Sequence, residues 1–107
     1  MPEKVYLVSA CLLGLATRYD GGENRCPSLL RLCRGCRLLP VCPEQLGGLP
    51  TPRRPAEIRG GDGCAVLRGE AAVMDDAGGD VTEQFLRGPA AVLQLARLCR
   101  VDGAILK

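Results

Sequence analysis

The sequence predicts an α/β fold, a small three-layer Rossmann-like parallel sheet with a hairpin insertion. Three observations predict it. Residues 5–10, 38–42 and 104–107 are short runs that are apolar on both faces, the pattern of strands buried in a parallel sheet. Helix-starting signals stand between these runs, as the crossovers of a parallel sheet require. The chain has 107 residues, 47% of them hydrophobic, enough for one core and too few for a second.

The first strand, residues 5–10, leads straight into Cys11-Leu12-Leu13-Gly14 and then a polar turn through Arg18, Tyr19, Asp20, Gly21 and Gly22. Pro27 suits the first position of a helix, where its missing N–H is no loss. That helix is expected to pass through Leu29, Leu30 and Leu32 to about residue 34 and to stop at Gly35. Residues 38–42 form the second strand, and Pro40 puts it at an edge or marks its start. Residues 43–53 are broken by Pro43, Gly47, Gly48, Pro50 and Pro52 and read as a loop that excludes helix.

Val66-Leu67-Arg68 and Ala72-Val73-Met74 flank Gly69-Glu70 and read as a hairpin, with residues 75–79 as the next turn. Asp80 followed by Glu83 is a capping signature. The helix it starts is expected to reach Arg100, with Phe85, Val92, Leu93, Ala96 and Cys99 on one face and Pro89 as a kink site. Asp102-Gly103 ends it, and residues 104–107 begin the third strand. Right-handed crossovers then order the strands 2-1-3. In such sheets the ligand crevice lies beyond the carboxyl ends of the strands. Cys11, just past the first strand, and Cys42, ending the second, therefore point into one crevice.

Composition excludes several classes of function. Tyr6, Tyr19 and Phe85 are the whole aromatic complement, too few for binding nucleic acid by base stacking. The 14 basic and 12 acidic residues are interspersed and give a net charge of +2, so no polyanion footprint stands out. With no histidine, Ser-His-Asp and Cys-His catalysis and imidazole metal ligation are excluded. The first apolar stretch, of about seven residues, is too short for a signal peptide or a bilayer span. A cytoplasmic chain without membrane attachment is expected. In a reducing compartment seven cysteines, an odd number, point to metal ligation, catalysis or burial rather than to disulfides.

Several segments carry a resemblance: Cys11-Leu12-Leu13-Gly14, Arg18-Tyr19-Asp20-Gly21, the block from Pro40-Val41-Cys42-Pro43-Glu44 through Gly47-Gly48 to Arg53, Pro55-Ala56-Glu57, Gly60-Gly61-Asp62-Gly63, Asp80-Val81-Thr82 and Ala104-Ile105-Leu106-Lys107. Together they resemble a bacterial family long catalogued as a domain of unknown function and similar to the thiouracil desulfidases. The resemblance covers essentially the whole chain, and the Cys-Pro-Glu block is its most specific part. It implies one desulfidase-like α/β domain over residues 1–107 and an iron–sulfur hydrolase. Such enzymes hold a [4Fe-4S] cluster by three cysteines. The open fourth iron acts as a Lewis acid on the sulfur of a thiolated uracil-type base, and water attacks the carbon. Cys11 and Cys42 match two of the ligands. In the family the third lies in a Ser-Pro-Ser-Cys-Gly segment shortly after the strand matching residues 104–107. It is therefore expected beyond Lys107, and the chain reads as lacking the family's C-terminal segment. Activity is expected of full-length members rather than of this length of chain. The implied partner is a small thiolated nucleobase or nucleotide; thiolated tRNA is not favoured by the weak charge. A sheet ending at residues 104–107 leaves a bare edge, for which a homodimer is expected.

Thiolates are the soft ligands that iron–sulfur clusters take. Glu44, two residues past Cys42, is the candidate catalytic proton carrier; the plainer reading is a loop carboxylate on backbone amides. Arg18 and Asp20 are candidate substrate-binding residues, or a turn stapled by a local ion pair. Arg53 is a candidate contact for the phosphate of a nucleotide, or a solvated arginine. Gly47-Gly48 either lets backbone approach the ligand or supplies positive φ. Gly60-Gly61-Asp62-Gly63 resembles a phosphate cradle without the strand–turn–helix context that would support it. Cys26, Cys33, Cys36 and Cys42, spaced C-x6-C-x2-C-x5-C, leave zinc as the alternative cofactor, and with it a non-catalytic zinc-binding or partner-binding module. Cys33-Arg34-Gly35-Cys36 also leaves open a thiol–disulfide protein. Cys64 and Cys99 read as ordinary small residues, Cys99 on the inner face of its helix.

Overall fold

The computed structural model describes residues 3–107. Along the chain run β1 (Val5–Ser9), a 3-10 turn (Ala10–Leu13), α1 (Pro27–Leu32), β2 (Arg37–Val41), α2 (Pro43–Leu46), β3 (Ala56–Arg59), α3 (Gly63–Leu67), β4 (Ala72–Asp75), α4 (Thr82–Cys99) and β5 (Gly103–Ile105). The architecture is mixed α/β. A three-stranded parallel sheet has the order β2-β1-β5, and β3 and β4 pair antiparallel as a separate hairpin. The strand order inferred from right-handed crossovers is the one observed.

β1 is central because it is the most uniformly apolar strand. Leu7 pairs with Leu39 on one side and Ala104 on the other, and Leu7 and Val8 are the largest fully buried side chains. Ala10, Leu29 and Val41 extend this core toward the carboxyl ends of the strands. β2 pairs only with β1 among the described residues, which is where a proline such as Pro40 is tolerated. At the opposite end of the sheet the Asp102 carboxylate accepts from the Val5 amide at 2.8 Å, while the Asp102 amide donates to the Val5 carbonyl at 2.7 Å. This reciprocal pair sets the register of β5 against β1.

Several expectations for the elements change. The first strand stops at Ser9, and Ala10 already belongs to the 3-10 turn. Residues 43–53 do contain a helix: α2 is one turn with Pro43 at its first position and Cys42 as the preceding cap residue. Proline breaks helix interiors but suits that position. The hairpin is also built differently. Val66 and Leu67 belong to α3, and β4 pairs instead with residues 56–59. Ala65 and Val66 are the buried residues of α3. Its entry, Gly60-Gly61-Asp62-Gly63, does join a strand to a helix, but the Asp62 carboxylate accepts from the Ala65 amide at 2.9 Å. The protein's own carboxylate caps this helix of 5 residues, so no phosphate seat is formed.

α4 begins at Thr82, with Val81 rather than Asp80 as the residue before it. Asp80 still serves the start of the helix by accepting from the Thr82 amide at 2.9 Å. Hydrogen bonds from Thr82, side chain first and then backbone, hold the Asp80 carboxyl below the usual carboxylate range. Glu83 pairs forward with Arg87 instead of turning back onto the cap. Gly88 is the buried residue of the helix, while Leu93 is half exposed and Cys99 lies exposed at the last turn rather than on an inner face.

The closest helix contact has no side chain in it. A Cβ added at Gly88 would sit 2.0 Å from the Pro43 carbonyl oxygen, and one at Gly47 would sit 2.0 Å from the Gln84 carbonyl oxygen. The backbones of α2 and α4 therefore touch through two glycines. Gly47 has φ −77°, so its role is this approach to α4, while Gly48 takes the positive φ, +98°, that the sequence reading allowed for the pair.

Candidate functional site

A cavity of about 440 Å³ opens at the carboxyl ends of β1, β2 and β5. Its walls include Cys11 from the 3-10 turn, Cys42 and Glu44 from the β2–α2 junction, and Phe85 and Pro89 from α4. Cys11 is buried and Cys42 half-buried. The two cysteines thus line one crevice, at the place where parallel sheets of this kind leave room for ligands.

Local structure explains each position. After β1 the chain tightens into the 3-10 turn, and Gly14 closes it at φ +93°, donating to the Ala10 and Cys11 carbonyls. The following loop is tied back onto this turn: the Asn24 amide donates to the Cys11 carbonyl at 2.8 Å and the Cys26 amide to that of Leu12 at 2.9 Å. This return brings the Asn24 side chain to Cys11, its Nδ2 lying 3.8 Å from Sγ. The Arg18 guanidinium donates to Asn24 Oδ1 at 3.1 Å and pairs with Asp20 at 3.2 Å. Asp20 also accepts from the Gly22 amide at 2.9 Å. Arg18 and Asp20 are thus a stapled turn, and of the two Arg18 lines the cavity.

On the other side, α2 carries Glu44 in its first turn, and the contact at Gly47 and Gly88 fixes that turn against α4. Arg53 organises the group. Its side chain is only 6% exposed, so the reading as a solvated arginine is overturned. Arg53 Nε pairs with the Glu44 carboxylate. One terminal nitrogen donates to Thr51 Oγ1 at 2.9 Å and to the Pro50 carbonyl at 3.3 Å. The other donates to the Thr17 carbonyl at 2.9 Å and lies 3.9 Å from Cys42 Sγ. Its own amide donates to the Tyr19 carbonyl at 2.6 Å. Every guanidinium nitrogen is engaged within the protein.

Of the residues singled out in the sequence, Cys11, Cys42, Glu44, Arg18 and Arg53 meet at this cavity, and Asp20 stands behind Arg18. Among the described residues no group of three or more Cys, Asp or Glu side chains is gathered to hold a metal ion. The zinc site left open by the spacing of Cys26, Cys33, Cys36 and Cys42 is not assembled. Asn24 and Thr17, which no motif marked, also face the cavity.

The class defined by these features is an α/β protein with two soft thiol donors on the strand-end crevice of a parallel sheet. Comparison makes the assignment specific: the chain belongs to the 2-thiouracil desulfurase family, whose model matches residues 6–107. It is 42% identical over 101 residues to YbbK of Bacillus subtilis (strain 168), an uncharacterised protein, covering 94% of this chain and 67% of that one. Its fold matches the solved structure of TudS, a [4Fe-4S]-dependent thiouracil desulfidase, with a TM-score of 0.75 and 41% identity. That match covers 96% of this chain and 62% of the desulfidase, so the chain spans less than two thirds of the solved relative. No helix among the described residues is long and apolar enough to cross a membrane.

Proposed function

We propose that this chain is the cluster-holding part of an enzyme that removes sulfur from a thiolated uracil-type base. The observation that carries the proposal is the convergence of Cys11 and Cys42 on one cavity in a protein of this family. The donor set fits a [4Fe-4S] cluster: two thiols, the soft ligands such clusters require, line a cavity of about 440 Å³ without histidine or a closed zinc cage beside them. Cys11 and Cys42 would hold it, with the third cysteine proposed to lie beyond Lys107. When bound, the cluster would supply Lewis-acid chemistry toward a thiocarbonyl sulfur.

The rest of the work falls to the chain's own side chains. Phe85, Pro89 and Leu106 form an apolar wall, suited to a flat, weakly polar heterocycle from which water is partly excluded. Glu44 is the proton carrier. Its side chain is 35% exposed, so it reaches both substrate and solvent, and Arg53 fixes its direction. Exchanging sulfur for oxygen requires a proton to leave the attacking water and one to reach the departing sulfur. A single carboxylate cycling between its two forms can serve both transfers. Arg53 holds the carboxylate and the backbone around it, so it is not free to take a substrate phosphate. A free base or nucleoside is the favoured substrate.

The test is sulfide release from 2-thiouracil by anaerobically reconstituted full-length protein, read through to the proposed third cysteine. Glu44→Gln keeps the shape of the side chain and removes its proton traffic. It is expected to lower the rate by about 10²- to 10⁴-fold with the iron content unchanged. A Glu44→Gln rate within a factor of about two of the parent would remove Glu44 from the chemistry. No sulfide from the parent, fully loaded with iron, would overturn the proposed activity.

A further inference from the structure

We infer that Asn24 is a positioning residue that tunes the cysteine-held centre by donating an N–H to the Cys11 sulfur. The inference rests on the reading above, in which Cys11 is a cluster ligand, and adds a residue that no motif marks. Asn24 Nδ2 lies 3.8 Å from Cys11 Sγ, a long contact within reach of the larger sulfur atom. Its orientation is forced by chemistry. An amide can be turned either way round, but a guanidinium carries donors and no acceptor. Arg18 donates to Asn24 Oδ1 at 3.1 Å, so the oxygen faces Arg18 and the NH₂ faces the sulfur. Asp20 in turn holds Arg18 at 3.2 Å, and the Asn24 backbone is pinned by its amide on the Cys11 carbonyl at 2.8 Å. The line Asp20–Arg18–Asn24–Cys11 is therefore a set of locks, each fixing the next. Arg53 stands in the same relation to Cys42, at 3.9 Å and locked by Glu44.

The consequence is electronic. A hydrogen bond to a ligand sulfur withdraws electron density from the sulfur and from the metal it holds, which raises the reduction potential of an iron–sulfur centre. The same withdrawal makes an open iron a stronger Lewis acid. The turn from Arg18 to Asn24 thereby takes a role other than contact with substrate: it sets the electron demand at Cys11 from the cavity wall.

The experiment is a midpoint-potential measurement on reconstituted full-length protein, with iron content determined in parallel. Asn24→Ala removes the donor without changing charge. Asn24→Asp keeps the shape and the Arg18 contact, loses the N–H and adds a negative charge. Both are expected to assemble the parent's iron content and to show a lowered potential. A lowered potential in Asn24→Asp alone would report only the added charge and would overturn the inference, as would unchanged potentials in both. A parent that takes up no cluster would overturn the inference together with the function on which it rests, and iron content separates that failure from the others.

Discussion

Gly88→Ala is expected to unfold this protein at a much lower temperature than the parent. A methyl at Gly88 would lie 2.0 Å from the Pro43 carbonyl oxygen and 2.8 Å from its carbon, both backbone atoms that no rotamer change can move. Relief requires α2 to separate from α4. Overpacking in a well-filled interior costs about 1–3 kcal/mol, and a rigid backbone neighbour puts this case at the upper end, about 3 kcal/mol. For a chain of this size that is a fall in Tm of roughly 15 °C. Gly63→Ala is the control. Among the described residues nothing lies within 4 Å of its Cβ position, so a change within about 0.5 kcal/mol is expected. Thermal unfolding followed by circular dichroism distinguishes them, and a Gly88→Ala Tm within a few degrees of the parent would contradict the packing described. Gly47→Ala opens the same contact from the other side. The double variant should therefore cost less than the sum of the two single ones.

Arg53→Met is the second large effect. The methionine fills part of the space but leaves the Thr17 carbonyl and the Glu44 carboxylate without their donor. Removing one member of a buried pair costs more than the pair contributes. Glu44 is 35% exposed, so water replaces part of the loss and the discount for screening applies. About 2–3 kcal/mol of destabilisation is expected, consistent with hydrogen bonds to charged groups. The cycle with Glu44→Gln isolates the ion pair. A coupling of about 1 kcal/mol is expected, and a value indistinguishable from zero would show that Arg53 acts through its other partners, the Thr17 and Pro50 carbonyls and Thr51 Oγ1.

The sheet was legible because its central strand is buried, Leu7 and Val8 fully, and its neighbours are apolar runs. Residues 5–8 and 38–41 present apolar side chains without alternation, and a pattern of that kind survives any choice of partner. The hairpin was misassigned because burial there is not written in the strands. Ile58 is 42% exposed, and Ala56, Glu57 and Arg59 carry no apolar signal, whereas Val66, in a helix of 5 residues, does. A one-turn helix is too short for periodicity to reveal. α2 escaped for the same reason, compounded by Pro43, whose meaning depends on whether it opens a helix or interrupts one.

In the site, Cys11, Cys42 and Glu44 were legible from chain position, since each follows the end of a strand. Arg53 was named, but its burial was not foreseen. Nothing local distinguishes it from Arg54, which is exposed and paired with Asp76. Its burial depends on the loop returning to meet the Thr17–Tyr19 turn, a contact between residues 36 positions apart. Asn24 was missed because its value lies in facing Cys11 across a turn of 13 residues. The order Asp20, Gly21, Gly22 and then Asn24 was the available cue, a tight turn that brings the chain back on itself.

One question decides the account: whether Cys11 and Cys42 hold a single centre. Iron and acid-labile sulfide per chain, measured after anaerobic reconstitution of the full-length parent and of Cys11→Ala, Cys42→Ala and Cys33→Ala made in it, answers it. The parent and Cys33→Ala are expected to be brown and to carry equal iron, with Cys11→Ala and Cys42→Ala each colourless. Full iron retained in both Cys11→Ala and Cys42→Ala, or its loss in Cys33→Ala instead, would contradict the site described.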